Sequence, residues 1–171
     1  MDRFDSNGRI VPAIKSGAMT NTLMVCMGNI CRSPMAQTIA RKLAADANLS
    51  QQLRFDSAGT HAHRLGEWPD PRVKATLSRH GYEMELLRSR RIATQDFQHF
   101  DLILAMDADN LSDLRRLCPP EYSYKLRLLL DFAEGLTENE IPDPYYGNVQ
   151  GFERVLELCE AGVKGFLKQW S

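Results

Sequence analysis

Apolar residues in this chain fall into short unbroken runs separated by longer amphipathic stretches. Leu23-Met24-Val25-Cys26 has no polar interruption, the pattern of a strand buried on both faces. Met27-Gly28-Asn29-Ile30-Cys31-Arg32 follows as a turn-forming stretch. Ser33-Pro34 then predicts a helix start, because Ser is a good N-cap and Pro is favoured at the first helical position. From Met35 to Ala47 the residues are good helix formers, and Met35, Ile39, Leu43 and Ala47 recur every fourth position as one apolar stripe. Arg54 to Gly59 reads as a second strand, and Pro69 to Arg79 as a helix with Gly81 as its C-terminal signal. Phe100 to Met106 predicts a third strand, Asp107 to Leu117 a helix stopped by Pro119-Pro120, and Leu126 to Asp131 a fourth strand. Phe152, Val155, Leu156, Cys159, Val163, Phe166, Leu167 and Trp170 keep helical spacing, so a long last helix is expected to lie across the sheet.

Strands alternating with helices predict an α/β fold: a doubly wound, four-stranded parallel sheet flanked by helices. Ligands bind such sheets at the carboxyl ends of the strands, so the loop leaving the first strand is the place to look. At 171 residues and 43% hydrophobic, the chain suits one domain with a real core. Residues 1–20 mix polar residues with few apolar ones and read as a flexible N-terminal extension or expression remnant, leaving residues 21–171 as the domain.

Charge narrows the chemistry. With 21 basic and 22 acidic residues the net charge is −1, which argues against nucleic acid as a partner. No apolar run approaches the ~20 residues of a membrane span, so no membrane insertion is expected. Cys26, Cys31, Cys118 and Cys159 form no CxxC pair and no Cys/His cluster at zinc-ligand spacing, so no metal is expected. Without a secretory signal, these cysteines fit a reducing cytoplasm better than a disulfide framework.

The chemistry concentrates in Cys26-Met27-Gly28-Asn29-Ile30-Cys31-Arg32-Ser33, a cysteine, five residues, then Arg and Ser. Between a strand and a helix such a loop can turn its N–H groups inward, and the helix dipole adds positive potential at the same point, which suits a phosphate. Arg32 supplies a planar fork for two phosphate oxygens. Gly28 is expected to take a backbone conformation that most residues resist. A thiolate is the reactive form of cysteine, and inward amides beside an Arg favour it, so Cys26 is the candidate nucleophile. Ser33 could donate to that sulfur, and Asn29 could pin the loop. Cleaving a phosphate ester also needs a proton for the departing oxygen. Asp143-Pro144-Tyr145-Tyr146-Gly147 offers a constrained carboxylate beside two aromatic rings that could wall a pocket.

Val25 to Pro34 together with Asp143 to Gly147 resembles the low-molecular-weight protein-tyrosine phosphatases. Ser57-Ala58-Gly59-Thr60, Pro69-Asp70-Pro71-Arg72 and Phe100 to Asp107 extend the resemblance in the expected order. It implies that Cys26 becomes a phosphocysteine, that Arg32 binds phosphate, and that Asp143 protonates the leaving group and then activates water. It implies no cofactor, phosphotyrosine proteins as substrates, and a cognate tyrosine kinase as a further partner; oligomeric state is left open. Cys31, on the same loop as Cys26, is a candidate redox partner. Two positions depart from relatives. His63 stands where a pocket-wall Trp is common, and Leu87 stands near a His that supports the loop Asn in animal relatives, so Asn29 must be held some other way. Three rivals stay open: a thioredoxin-coupled arsenate reductase, a protein-arginine phosphatase (which carries Thr at the Ile30 position), and a non-catalytic phosphotyrosine or phosphate binder.

Overall fold

A computed structural model describes residues 3–4, 10–11, 18–61 and 65–170. Strands β1 (Arg3–Phe4) and β2 (Ile10–Val11) pair antiparallel, apart from the main sheet. That sheet contains β3 (Thr20–Cys26), β4 (Leu53–Gly59), β5 (Leu102–Ala105) and β6 (Leu126–Leu128) in the order β4-β3-β5-β6, every pair parallel. The expected doubly wound, four-stranded parallel architecture is the one observed.

Alternation along the strands shows why both faces are covered. Leu23 and Val25 point to one side with Ile103 and Ala105, while Met24 and Cys26 point to the other with Leu102 and Leu104. The second side packs against α1 (Arg32–Asp46) and the long α5 (Val149–Leu167). The first packs against α3 (Thr94–His99) and α4 (Ala108–Leu117). The remaining helix, α2 (Pro71–Arg79), lies against α5 and is capped by Asp70, whose side chain accepts from the Arg72 N–H at 2.9 Å. Gly81 follows it with φ of +80°, as a left-handed helix end requires. Among the described residues no helix is long and apolar enough to cross a membrane.

The last helix runs from Phe152 through Val155, Leu156, Cys159, Val163 and Phe166 with its apolar stripe buried, as its spacing predicts. Its fit depends on Gly165, where an added Cβ would run into the Phe132 carbonyl oxygen. The fourth strand is shorter than its apolar run suggests. It stops at Leu128, and Leu129–Phe132 turn as a 3-10 helix, with the Asp131 carboxylate accepting from the Leu128 N–H at 3.3 Å. This turn tucks Leu129 and Leu130 into the core under α5. The stripe on α1 is rotated too: Ala36, Ala40 and Ala44 are buried with Met35 and Ile39, and Ala47 is exposed beyond the helix end.

The chain leaves β3 through α1 toward β4 on one side, whereas β5 lies on the other. The direction of winding therefore reverses at the carboxyl end of β3, where Cys26 sits.

Candidate active site

The loop from Cys26 to Arg32 is held in shape by its own carbonyls. Cys26 O accepts from Thr60 N (2.9 Å), Met27 O from His61 N (2.9 Å) and Ile30 O from Asp70 N (2.8 Å). In a trans peptide the next N–H points opposite to the carbonyl. Drawing these oxygens outward turns the N–H groups of Met27, Gly28 and Cys31 toward the hollow of the loop. The hollow sits at the N-terminus of α1, whose free amides and dipole add positive potential.

The left-handed turn falls on Asn29, with φ of 56°, and not on Gly28. Asn tolerates that region better than most residues, and here its side chain holds the turn in place. Its Oδ1 accepts from Arg90 N at 3.0 Å, while its Nδ2 donates to Ser33 Oγ at 2.8 Å and to Ser57 Oγ at 3.0 Å. Ser57 in turn donates to Gln37 Oε1 at 2.5 Å. Asn29 is thus held by Arg90 and Ser57, with no contribution from Leu87.

Ser33 Oγ accepts from Asn29 Nδ2 and lies 3.0 Å from Cys26 Sγ and 3.5 Å from the Ala58 carbonyl oxygen, so its hydroxyl can donate to the sulfur whenever Cys26 is a thiolate. Ser33 is therefore not the N-cap of α1. That helix starts at Arg32, two residues before Pro34, Cys31 occupies the cap position, and no side chain caps it. The uncapped amides remain available to a ligand.

Arg32 is buried, at 3% exposure, and is positioned from three sides. Its NH1 donates to Asp107 Oδ2 at 2.5 Å and to the Ile141 carbonyl at 2.9 Å, and NH2 lies 3.8 Å from Asp143 Oδ2. Burial pulls its basicity down, but the Cys26 sulfur and the Asp107 and Asp143 carboxylates outweigh that and raise it above the usual guanidinium value. Asp107 has both oxygens engaged, Oδ2 on Arg32 and Oδ1 on Asn110 N at 2.7 Å. It is a positioning residue and a poor candidate for proton transfer. The Asp143 Oδ1 accepts from Tyr145 N at 3.0 Å, leaving Oδ2 toward Arg32 and the cavity.

Cys26, Arg32, Asp143, Tyr145 and Tyr146 line one cavity of about 230 Å³, together with Met27, Gly28, Ile30 and Cys31. Tyr146 is almost fully exposed and stacks edge-on against Tyr145, ring centroids 4.9 Å apart. Burial, then the charges of Asp70, Cys26 and Asp143, push the Cys31 thiol up to about 12, with Arg72 opposing. His63 lies outside the described residues.

Sequence reasoning placed no role on Gly59, Ser57, Gln37 or Arg90, and considered Asp107, with Asp131, only as a substitute acid for Asp143, not as a support for Arg32. Gly59 has the plainest reason to be glycine: a Cβ there would stand 2.6 Å from the Met27 carbonyl oxygen. The only signal was their place in or beside segments that follow the family pattern, such as Ser57-Ala58-Gly59-Thr60.

A parallel α/β sheet with a loop of inward amides at its switch point, a cysteine at the loop's base and a carboxylate across the cavity is the arrangement of a class of phosphate-handling enzymes. The sequence matches the family described as Low molecular weight phosphotyrosine protein phosphatase over residues 21–171, and the chain belongs to that family. It is 43% identical over 146 residues to the low molecular weight protein-tyrosine-phosphatase of Streptomyces coelicolor, covering 84% of this chain and 88% of that one. With the human low molecular weight phosphotyrosine protein phosphatase it shares 40% over 153 residues, or 89% and 96% of the two chains. The crystal structure of an Entamoeba histolytica protein tyrosine phosphatase with Hepes in the active site superposes with a TM-score of 0.86 at 36% identity, covering 88% and 96%. YfkJ from Bacillus subtilis gives 0.84 at 37%, covering 90% and 95%. The chain is a phosphatase of this family.

Gly59→Ala tests the clamp behind the loop. Relieving a 2.6 Å contact must move either Met27 or β4. The expected result is a loss of about 1–3 kcal/mol in stability by thermal unfolding, together with a fall of roughly tenfold or more in kcat on p-nitrophenyl phosphate. Unchanged kcat would mean that the loop accommodates the methyl freely.

Proposed function

We propose that the protein hydrolyses phosphotyrosine in proteins through a phosphocysteine on Cys26. The observation that carries this reading is the convergence of Cys26, Arg32 and Asp143, from distant parts of the chain, on one cavity walled by two tyrosines. The Cys26 sulfur attacks phosphorus while Arg32 and the inward amides of the loop hold the phosphoryl oxygens. The P–O bond to tyrosine breaks and Asp143 gives the phenolate its proton. Water then attacks the phosphocysteine, Asp143 takes a proton from it, and the S–P bond breaks to release phosphate. The Ser33 hydroxyl, aimed at the sulfur, steadies the thiolate as it leaves.

The rival readings fit less well. A disulfide relay of the arsenate-reductase kind needs neighbouring thiols downstream. Cys159 is buried in the core on the α1–α5 side of the sheet, whereas Cys118 packs against the core on the opposite side. Ile30 lines the cavity as a bulky apolar group and crowds the planar, polar leaving group of phosphoarginine. A pure binder has no use for a carboxylate held at Asp143. All four cysteines are free, which suits a reducing compartment such as the cytoplasm.

Peptides test the substrate class. Phosphotyrosine peptides are expected to be hydrolysed on the order of a hundredfold faster than phosphoserine peptides of matched sequence, because a phenolic arm reaches a deep sulfur and its ring meets the Tyr145–Tyr146 wall. Equal rates would refute the assignment, and faster release from phosphoarginine would move it to the other branch.

Cys31 carries the redox proposal. Peroxide converts the Cys26 thiolate to a sulfenic acid, and the Cys31 thiol can displace water from it to give a Cys26–Cys31 disulfide. Because Cys31 is pushed up to about 12, its thiolate fraction at neutral pH is small and grows with pH. Trapping is therefore expected to quicken as pH rises. After peroxide and then thiol reductant, wild type should recover more activity than Cys31→Ser; equal recovery would rule out the trap.

A further inference from the structure

A second depression lies beside the catalytic cavity and shares Ile30 and Tyr145 with it. Its outer wall carries Trp68 and Arg88, neither of which the chemistry above uses. Trp68 is half-exposed, and the Arg88 guanidinium carbon lies over its indole, 3.5 Å from the ring centroid. Stacking of this kind fixes the plane of the guanidinium while leaving its edge free to bond. One part of that edge is spent, since NH1 donates to the Gly66 carbonyl at 2.8 Å, which anchors the group further.

Two carboxylates border the depression beside Arg88. Asp70 is spent on Arg72, which meets it through Nε at 3.0 Å and NH2 at 2.8 Å, and the same Arg72 reaches the Tyr145 carbonyl at 2.9 Å. Glu67 also borders the depression. An immobilised arginine edge that lines the same depression as Tyr145 is complementary to a carboxylate.

We propose that Trp68 and Arg88 form a subsite for an acidic side chain flanking the phosphotyrosine of the substrate protein, so that this chain selects phosphotyrosines in acidic surroundings. The proposal rests on the phosphotyrosine reading above and goes beyond it in naming the neighbouring residue the enzyme reads. Phosphate binding in the catalytic cavity anchors the peptide, and the Arg88 edge then receives a carboxylate one or two residues away.

The test is kcat/KM for a set of phosphotyrosine peptides carrying Glu, Ala or Lys at each position within two residues of the phosphotyrosine. At one register the expected order is Glu over Ala over Lys, with Glu about three- to tenfold better than Ala. Arg88→Gln should bring the Glu peptide down to the Ala value, and Arg88→Glu should invert the order, both with p-nitrophenyl phosphate turnover unchanged. Trp68→Ala, which keeps the charge but removes its platform, should weaken the preference, and Glu67→Gln should strengthen it. Rising salt should shrink the preference in wild type. Brisk turnover of all peptides with no preference, a preference for apolar flanks, or the same ranking in wild type and Arg88→Glu would overturn the subsite and leave the phosphotyrosine reading standing. Hydrolysis of p-nitrophenyl phosphate with no phosphotyrosine peptide accepted would overturn both.

Discussion

Cys26→Ser is expected to lower turnover of every phosphate ester by more than about ten-thousandfold while inorganic phosphate still binds. A hydroxyl is a far weaker nucleophile than a thiolate, and nothing beside Cys26 is built to deprotonate it. Ser33 Oγ, at 3.0 Å, is a neutral hydroxyl that already accepts from Asn29, far too weak a base to take that proton. The cradle does not depend on the sulfur. Its carbonyls are tied to Thr60, His61 and Asp70, and its arginine to Asp107 and Ile141, so a serine should leave the phosphate site intact. The measurement pairs steady-state kinetics with titration of phosphate by calorimetry. Substantial residual hydrolysis would remove Cys26 from the mechanism. Loss of both turnover and phosphate binding would mean that the thiol holds the loop together. Cys31→Ser is the control, since its thiol is buried and protonated and should leave reduced-state turnover near normal.

Such an experiment can be designed from the sequence because the loop is local. A strand, a cysteine, five residues and an arginine before a helix lie within ten positions, so periodicity and turn chemistry suffice to place them. The parallel sheet was legible for the same reason: Leu23 to Cys26 and Leu102 to Ala105 are apolar without interruption, and only a strand covered on both faces needs that. What was illegible depends on contacts between distant segments. Asp107 looks like an ordinary helix cap, and it is one, through Oδ1; that its other oxygen grips Arg32, 75 positions away, follows only from the reversal of winding beside β3. Gly59 looks like the end of a strand, yet its missing side chain is what lets Met27 pass. The start of α1 was misplaced because Ser33 has an unusual use. Local propensity assigns its hydroxyl to the helix cap, whereas the fold spends it between Asn29 and Cys26. The short α3 carries one large apolar residue, Phe97, too little to register as a stripe.

The role proposed for Asp143 is tested by the leaving group. With Asp143→Ala, phosphotyrosine has no proton donor, and its kcat for the first step should fall by about 10²–10⁴. A nitrophenol of low pKa can depart as an anion and should lose much less. Rates should therefore depend steeply on leaving-group pKa in the variant and shallowly in wild type. Asp143 is suited to the task by its exposure and its bonding. Its side chain is 44% exposed, one oxygen is anchored by Tyr145 N, and the other faces the cavity 3.8 Å from Arg32. Asp107 is the nearest competitor, but both its oxygens are engaged and releasing one would unhook Arg32. The two aspartates should thus give different signatures. Asp107→Asn should slow good and poor leaving groups alike, because a loosened Arg32 stabilises every transition state less. Asp143→Ala should sort substrates by leaving group. If Asp143→Ala instead slows tyrosine and nitrophenyl substrates equally, Asp143 serves only to shape the tyrosine-bearing turn and the proton comes from elsewhere.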